Sequence, residues 1–204
     1  MEIKSQKDRT VQHDEDQSLW LSLKGGDSMA LDQLFNNYYE KLYFYGLKLI
    51  GDHNRVADAI QDLFANIWEM RQGLSEVTYV KAYLFAILRY DLLKANSKII
   101  SDTPNNDDSL NDHSFTISPE ELYINKESQS EGVRMIEDLL TNLSSKQKEI
   151  IYLKFYNNYS NIEIGCVLSI KPQSVANLLA RTISRLRKNK NGSNSTIKTI
   201  FIES

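Results

Sequence analysis

Apolar residues recur every three or four positions along most of this chain, and this spacing constrains the fold more than any other feature. Trp20 and Leu23 follow it near the N-terminus, and Leu84, Leu88 and Leu92 follow it further along. Such spacing places apolar side chains on one face of an α-helix. Gly and Pro, which interrupt helices, number only 8 and 3 among 204 residues. We therefore predict an all-α protein.

A change of composition near residue 101 divides the chain into two helical parts. Residues 101–131 carry eight acidic side chains and one Lys, whereas residues 133–190 carry ten basic side chains and four acidic ones. The polar run 101–118 buries too little apolar surface to offset its ordering entropy. We predict two small helical domains joined by a flexible acidic linker: a polar N-terminal tail (1–17), a helical domain (18–98), the linker (99–131), a second helical domain (132–190) and a C-terminal tail (191–204).

Capping signals indicate where several helices begin and end. The run Gly25 to Ser28 separates two helices, with Asp27 or Ser28 as an N-cap. Gly51 is a C-cap signal at the end of a long aromatic helix. We also predict helices from Arg55 to Met70, from Tyr79 to about Ser97, over 119–140, and from Ser144 to Tyr156, the last opening with a capping box of Ser144 and Gln147.

The segment from Tyr159 to Arg181 has the pattern of a helix-turn-helix. Apolar residues mark one face of two short helices, and the turn lies around residues 168–171, where a Gly would be more usual. Pro172 suits the first turn of the second helix, because its missing N–H costs nothing there. A helix-turn-helix places its second helix in a DNA major groove, so this segment predicts a DNA-binding unit.

Three segments, in their order and spacing, carry a resemblance to a known family. Residues 23–39 include Gly26-Asp27 and Tyr38-Tyr39, residues 57–68 read ADAIQDLFANIW, and the helix-turn-helix follows Leu143-Ser144. Together they resemble the extracytoplasmic-function branch of bacterial sigma-70-type sigma factors. The resemblance covers roughly residues 18–188. It implies a non-enzymatic subunit that directs core RNA polymerase to specific promoters and initiates transcription.

The resemblance also implies the architecture and the partners. Residues 18–98 would form a sigma region 2-like helical bundle, and residues 132–190 a sigma region 4-like domain. The implied partners are promoter DNA and the polymerase core, contacted at the clamp of its largest subunit and the flap of its second. An anti-sigma factor is a further candidate partner. The free protein is expected to be a cytoplasmic monomer.

The resemblance places polymerase binding on the helix that contains residues 57–68. A polar stripe at three- and four-residue spacing would contact the clamp: Asp58, Gln61, Asp62, Ala65 and Glu69. Such a face also fits an ordinary solvated helix surface. Phe64 and Trp68 are expected in the core rather than in the interface.

Binding of the minus-ten promoter element would fall on the helix from Tyr79 to Lys98. Sigma factors of this kind hold unpaired bases, which requires aromatic stacking and cations. The candidates are Tyr79, Lys81, Arg89, Tyr90, Lys94 and Lys98. Tyr90 departs from the family pattern, which usually has Asn there. The loop Arg71 to Thr78 would lie where a flipped base is captured.

Binding of the minus-thirty-five element would fall on the second helix of the helix-turn-helix. Gln and Asn pair bidentately with adenine, and Arg pairs with guanine, so base readout is assigned to Gln173, Ser174, Asn177 and Arg181. Phosphate contacts, which set register rather than sequence, are assigned to Lys171, Arg185, Arg187 and Lys188. The basic residues would otherwise form a solvated helix face.

Several kinds of chemistry lack a signal in the sequence. His13, His53 and His113 have no metal-ligand spacing, and we predict neither a metal nor a cofactor. The single cysteine, Cys166, excludes an intramolecular disulfide and is expected in the core. No apolar run approaches the ~20 residues that a membrane span needs. We therefore expect no membrane insertion. The N-terminus has no signal peptide, so we expect a cytoplasmic protein.

Two alternatives remain open from the sequence. The chain would also suit a stand-alone helix-turn-helix transcriptional regulator whose N-terminal half is a dimerisation or sensor domain. Such a regulator binds paired half-sites about one helical turn apart without polymerase. A weaker alternative is a protein-interaction module that kept the fold and lost DNA binding, supported only by the thin basic cluster near Lys94.

Overall fold

The computed structural model describes residues 2–100, 114–117 and 142–188, with the backbone alone for 2–10, 97–100 and 187–188. The chain divides into two compact units, Met1–His113 and Ser114–Ser204. Throughout the described ranges, all regular structure is helical. The all-α prediction is therefore confirmed. The predicted helix over 119–140, most of the predicted linker and the C-terminal tail lie outside the described residues.

The first unit is a bundle of four helices around a shared core. Its helices are α1 (Glu2–Lys24), α2 (Ser28–Ile50), α3 (His53–Glu69) and α4 (Val80–Ile100), and a short 3₁₀ turn (Arg71–Gly73) follows α3. Helix α2 packs against the other three. Each helix contributes fully buried side chains, among them Trp20, Leu34, Ile60 and Phe85.

Local capping fixes the ends of these helices as the sequence predicts. The side chain of Asp27 accepts a hydrogen bond from the Met29 N–H at 2.9 Å and caps α2. Gly51 ends α2 in the left-handed region, at φ 67°, and its N–H donates to the Leu47 carbonyl at 2.8 Å. Because both caps satisfy backbone groups that a helix end leaves unpaired, the α1–α2 and α2–α3 junctions are sharp.

Helix α1 is longer than the sequence analysis predicted. It begins at Glu2, so most of the predicted polar tail (1–17) is helical. A polar anchor explains part of the difference. The buried Asp16 carboxylate accepts hydrogen bonds from the Tyr38 hydroxyl and, at 3.1 Å, from the Gln12 amide. Apolar periodicity could not reveal a helix held through a carboxylate and a hydroxyl.

The second unit contains the predicted helix-turn-helix. Its helices are α5 (Ser145–Ile151), a π-helical turn (Tyr152–Tyr156), α6 (Asn161–Leu168) and α7 (Pro172–Lys188). The capping box of Ser144 and Gln147 is present as predicted. A second capping box, of Ser160 and Glu163, opens α6. The sequence predicted one continuous helix as far as Tyr156, but the structure widens its last turn.

The short segment 114–117 packs within the second unit. Phe115 is only 2% exposed, Ile117 is also buried, and the Phe115 ring lies 5.7 Å from that of Tyr152. This segment falls within the predicted flexible linker (99–131), so its packing corrects that prediction. Two large apolar side chains bury enough surface to hold it in place, each by roughly 1.5–3 kcal/mol. Averaging composition over the whole acidic stretch hid them.

Candidate functional site

The turn of the helix-turn-helix depends on two residues four positions apart. Ser169 adopts the left-handed region at φ 54° and ends α6. The Ile170 N–H then donates to the Gly165 carbonyl at 3.0 Å. A Cβ on Gly165 would lie 2.7 Å from the Ile170 carbonyl oxygen. The glycine that this motif needs is therefore in α6, where the backbones approach, rather than in the turn.

Helix α7 has one buried and one exposed face. Val175, Leu179 and Leu186 are buried, and they fix the rotation of the helix. All the described side chains that the sequence predicted for minus-thirty-five binding are exposed: Lys171, Gln173, Ser174, Asn177, Arg181 and Arg185. Gln173, Asn177, Arg181 and Arg185 follow one another at four-residue intervals and so form one stripe along α7. Lys188 continues α7, with only its backbone described.

Two amides in this stripe are joined. The Gln173 Nε2 donates a hydrogen bond to the Asn177 Oδ1 at 3.3 Å. The Gln173 oxygen and the Asn177 nitrogen thus keep an acceptor and a donor for other partners. Adenine presents the matching donor and acceptor, N6–H and N7, in the major groove. The pair can therefore contact an A·T base pair as one unit.

Helix α3 also exposes its predicted stripe on one face. The predicted clamp-binding residues, Asp58, Gln61, Asp62, Ala65 and Glu69, are all exposed. The opposite face is buried through residues such as Ile60, Leu63 and Ile67. Phe64 is buried as predicted, whereas Trp68 is only half-buried and carries the Arg71 guanidinium over its ring at 4.3 Å.

The acidic surface of α3 continues onto α4 through Asp62 and Asp91. Burial raises the pKa of the Asp91 carboxyl above its usual value, Lys94 lowers it, and the nearby Asp62 carboxylate raises it further. Tyr90, which is 49% exposed, lies next to Asp91, and the Lys94 Nζ is 5.2 Å from the centre of its ring. An aromatic ring and a cation therefore border an acidic patch.

The residues predicted for minus-ten binding do not form one surface. Tyr79 and Lys81 are half-buried at the start of α4, whereas Tyr90 and Lys94 are exposed roughly 15 Å further along, at 1.5 Å per residue. Lys98 is described by its backbone alone.

Arg89 departs furthest from the prediction, because it is buried, with 8% of its surface exposed. It lies one helical turn after Phe85, on the stripe that packs into the bundle. The resemblance had assigned it, as a cation, to minus-ten DNA.

Sequence reasoning missed a set of contacts between α1 and the loop that precedes α4. The Trp20 Nε1 donates to the Ser75 carbonyl at 3.2 Å, and the Gln17 Nε2 donates to the Thr78 carbonyl at 3.2 Å. His13 and Tyr79 stack with their ring centres 5.5 Å apart. The four- and three-residue spacing of positions 13, 17 and 20 is that of one helix face. Positions 13 and 17, however, fall in the predicted polar tail (1–17).

Three further observations concern the described residues. Cys166 is exposed rather than buried in the core as predicted, since it shares the outer face of α6 with Ile162. In the described parts of the chain, no group of three or more His, Cys, Asp or Glu side chains is placed to hold a metal ion. Likewise, no helix in the described ranges has the length and apolar character needed to cross a membrane.

Comparisons with known proteins bear on both units. Residues 134–186 match the family described as sigma-70, region 4. The structure of CnrH in complex with the cytosolic domain of CnrY has a TM-score of 0.53 at 18% identity, covering 86% of this chain and 96% of that one. The sigma factor RpoE from Bartonella quintana, in complex with the anti-sigma factor NepR, has a TM-score of 0.50 at 19% identity, covering 77% and 94%. No curated protein sequence gave a significant match.

The matched range contains α5, α6 and all but the last two residues of α7, so the helix-turn-helix unit is a sigma-70 region 4 domain. The likeness to RpoE and CnrH extends over most of the chain and establishes the two-domain fold. Both findings agree with the resemblance to extracytoplasmic-function sigma factors seen in the sequence.

Proposed function

We propose that this chain is an RNA polymerase sigma factor of the extracytoplasmic-function type. It would make a bipartite contact, with the polymerase core on α3 and with the minus-thirty-five element on α7. The observation that carries the proposal is the separation of two exposed stripes on two units. One is mainly carboxylate and amide, and the other is amide and cation. The first suits a basic protein surface and the second suits DNA. No catalytic group is required of the chain.

The α3 stripe supports protein binding through charge and rigidity. Asp58, Asp62 and Glu69 give it three carboxylates, while Gln61 and Ala65 leave room for close approach. The helix is held from behind by Ile60 and Phe64, so little ordering is needed on binding. The clamp of the largest polymerase subunit is the proposed partner. The flap of the second subunit would contact the region 4 domain.

The α7 stripe supports base readout at its N-terminal end and phosphate contact around it. Gln173 and Asn177 would read adenine, and Arg181 would read guanine. Ser174 would contribute a further hydrogen bond to a base. Lys171, Arg185 and Lys188 would bind phosphates and set the register.

The first unit would open the minus-ten element and hold its unpaired bases. Tyr90 and Lys94 are the exposed aromatic and cationic pair of α4, and stacking with a nearby cation is how such bases are held. Tyr79, Lys81 and Lys98 would add contacts at the two ends of the helix. The loop Arg71 to Thr78 would receive a flipped base. Arg89 would act from within the bundle by supporting the α4 surface.

A second protein partner is also proposed. RpoE was solved with the anti-sigma factor NepR, and CnrH with the cytosolic domain of CnrY. We infer that an anti-sigma factor binds this chain too and competes with the polymerase for the α3 stripe. The free protein would be a cytoplasmic monomer.

Reconstituted transcription with core polymerase tests the bipartite proposal. The Asp58→Arg variant should lower core affinity by at least about tenfold, because reversing a charge beside a basic partner adds repulsion. Asp14→Arg, on an exposed position of α1, is the matched control and should bind core normally. Absence of both core binding and transcription in the wild type would overturn the proposal. Tight binding of the isolated protein to a palindrome would favour the stand-alone regulator.

A further inference from the structure

One face of α1 holds the loop before α4 at three successive points. Trp20 and Gln17 donate hydrogen bonds to the Ser75 and Thr78 carbonyls, and His13 stacks on Tyr79 with an interplanar angle of 17°. The three α1 side chains are four and three positions apart, so they project from one side of the helix. The loop therefore takes its position from α1 as well as from the helices that it joins.

The loop's own backbone closes only its ends. At the start, the Gly73 N–H donates to the Met70 carbonyl at 2.8 Å. At the end, the Tyr83 N–H donates to the Tyr79 carbonyl at 2.9 Å. Between these points, the carbonyls of residues 75 and 78 accept from α1. A loop with few backbone bonds of its own opens easily, so loss of the α1 contacts would widen its range of positions.

The side chain of Trp20 is suited to a fixed anchor. It is 1% exposed, and its indole packs edge-on against Tyr83 with ring centres 5.3 Å apart. Burial leaves the indole N–H one direction, toward the Ser75 carbonyl. The imidazole of His13 covers one face of the Tyr79 ring, so a base could stack only on the other face.

We propose that α1 positions this loop to receive an unstacked base of minus-ten DNA, with His13, Gln17 and Trp20 as positioning residues. The proposal rests on the proposed function, in which the first unit opens that element. Its physical basis is preorganisation: a loop already held in its binding geometry loses less conformational freedom when the base enters. Helix α1 is thus part of the DNA-binding apparatus without touching the DNA.

The test uses full-length protein assembled with core polymerase, on a promoter that the wild-type holoenzyme selects from a randomised DNA library. The fluorescent adenine analogue 2-aminopurine is placed in the minus-ten element, where its emission rises when the base unstacks. Two variants remove one donor each: Gln17→Ala, and Trp20→Phe, which keeps an aromatic ring. Ser18→Ala is the control, because Ser18 is exposed on the adjacent position of α1.

Each donor variant should lower the open-complex equilibrium constant about fivefold, the effect of one ordinary hydrogen bond. Core affinity should stay at the wild-type value, and Ser18→Ala should match the wild type in both measurements. Variants that open the promoter as fully as the wild type would overturn the positioning role. So would an equal loss of core affinity, which would indicate general destabilisation. A wild type that binds no core would overturn the proposed function, and this proposal with it.

Discussion

The two candidate DNA surfaces of this chain are built in different ways. In the second unit, one amphipathic helix carries the whole stripe, and its buried residues Val175 and Leu179 aim the exposed ones. In the first unit, the candidates are spread along α4, and the adjoining loop is held by another helix. The contrast teaches that a surface on one helix is encoded locally, whereas a surface on a loop depends on tertiary contacts.

The largest expected effect tests whether the α7 surface depends on the close approach of two backbone segments at Gly165. Gly165→Ala places a Cβ 2.7 Å from the Ile170 carbonyl oxygen, and backbone yields less readily than a side chain. We expect a loss of about 3 kcal/mol in the free energy of unfolding of the second unit. Circular dichroism during urea unfolding measures it. Both tryptophans, Trp20 and Trp68, lie in the first unit, so their fluorescence transition should stay unchanged.

Gly73→Ala is the matched control for that substitution, since a Cβ there meets nothing within 4 Å. Its effect should be within about 0.5 kcal/mol. Equal stability of the Gly165→Ala variant and the wild type would contradict the close-approach argument.

The next effect separates readout of bases from binding of phosphates on α7. Arg181→Ala should cost about 2 kcal/mol in affinity for the selected minus-thirty-five sequence and relax its specificity at one position. Arg185→Ala should instead weaken binding to all sequences and reduce the salt slope by about one. Holoenzyme binding at several salt concentrations measures both. Ser184→Ala, exposed on the same helix, is the control. Identical profiles for the two arginine variants would remove the division of roles.

A third prediction tests the polar anchor of α1 through its pH dependence. Burial raises the pKa of the Asp16 carboxyl above 3.8, although hydrogen bonds from Tyr38 and Gln12 oppose the change. The folded state then binds more protons than the unfolded state. Its stability should fall as pH rises from about 3.8 through the raised pKa, by at most ~1.4 kcal/mol per pH unit.

Tryptophan fluorescence during urea unfolding, from pH 4 to 7, reports this dependence. Asp16→Asn cannot ionise, so the slope should be smaller in that variant. Asp14→Asn, on an exposed position of the same helix, should retain the full slope. A slope that is unchanged in Asp16→Asn would show that another group causes it.

The smallest expected effect concerns the left-handed residue of the turn. Ser169→Gly should raise the stability of the second unit by about 0.5–1 kcal/mol, because glycine adopts φ 54° without a steric penalty. Ser184→Gly, in the interior of α7, should be destabilising by a similar amount. Urea unfolding followed by circular dichroism distinguishes the two. Destabilisation by Ser169→Gly would mean that the hydroxyl has a role in the turn.

The sequence was sufficient where structure depends on near neighbours. The caps at Asp27 and Gly51, the capping box at Ser144 and the exposed stripe of α7 all follow from residues a few positions apart. The α3 stripe was predictable for the same reason. The capping box at Ser160 also follows from a near neighbour, Glu163.

The remaining features depend on partners distant in the chain. Asp16 is buried because Tyr38 lies across the bundle, and Arg89 is buried because its helix turns that position inward. Neither fact is visible in charge or periodicity alone. The widened turn at residues 152–156 has the same apolar pattern as an ordinary helix, so sequence spacing could not reveal it.

The packed segment 114–117 has a practical consequence for studying the region 4 domain by itself. A fragment cut at residue 132, the boundary that composition favours, would lack Phe115 and Ile117. The buried Tyr152 would then lose an aromatic neighbour and gain access to water. A fragment beginning at Ser114 keeps that contact. It should therefore be the more soluble and more cooperatively folding form for DNA-binding and binding-partner screens.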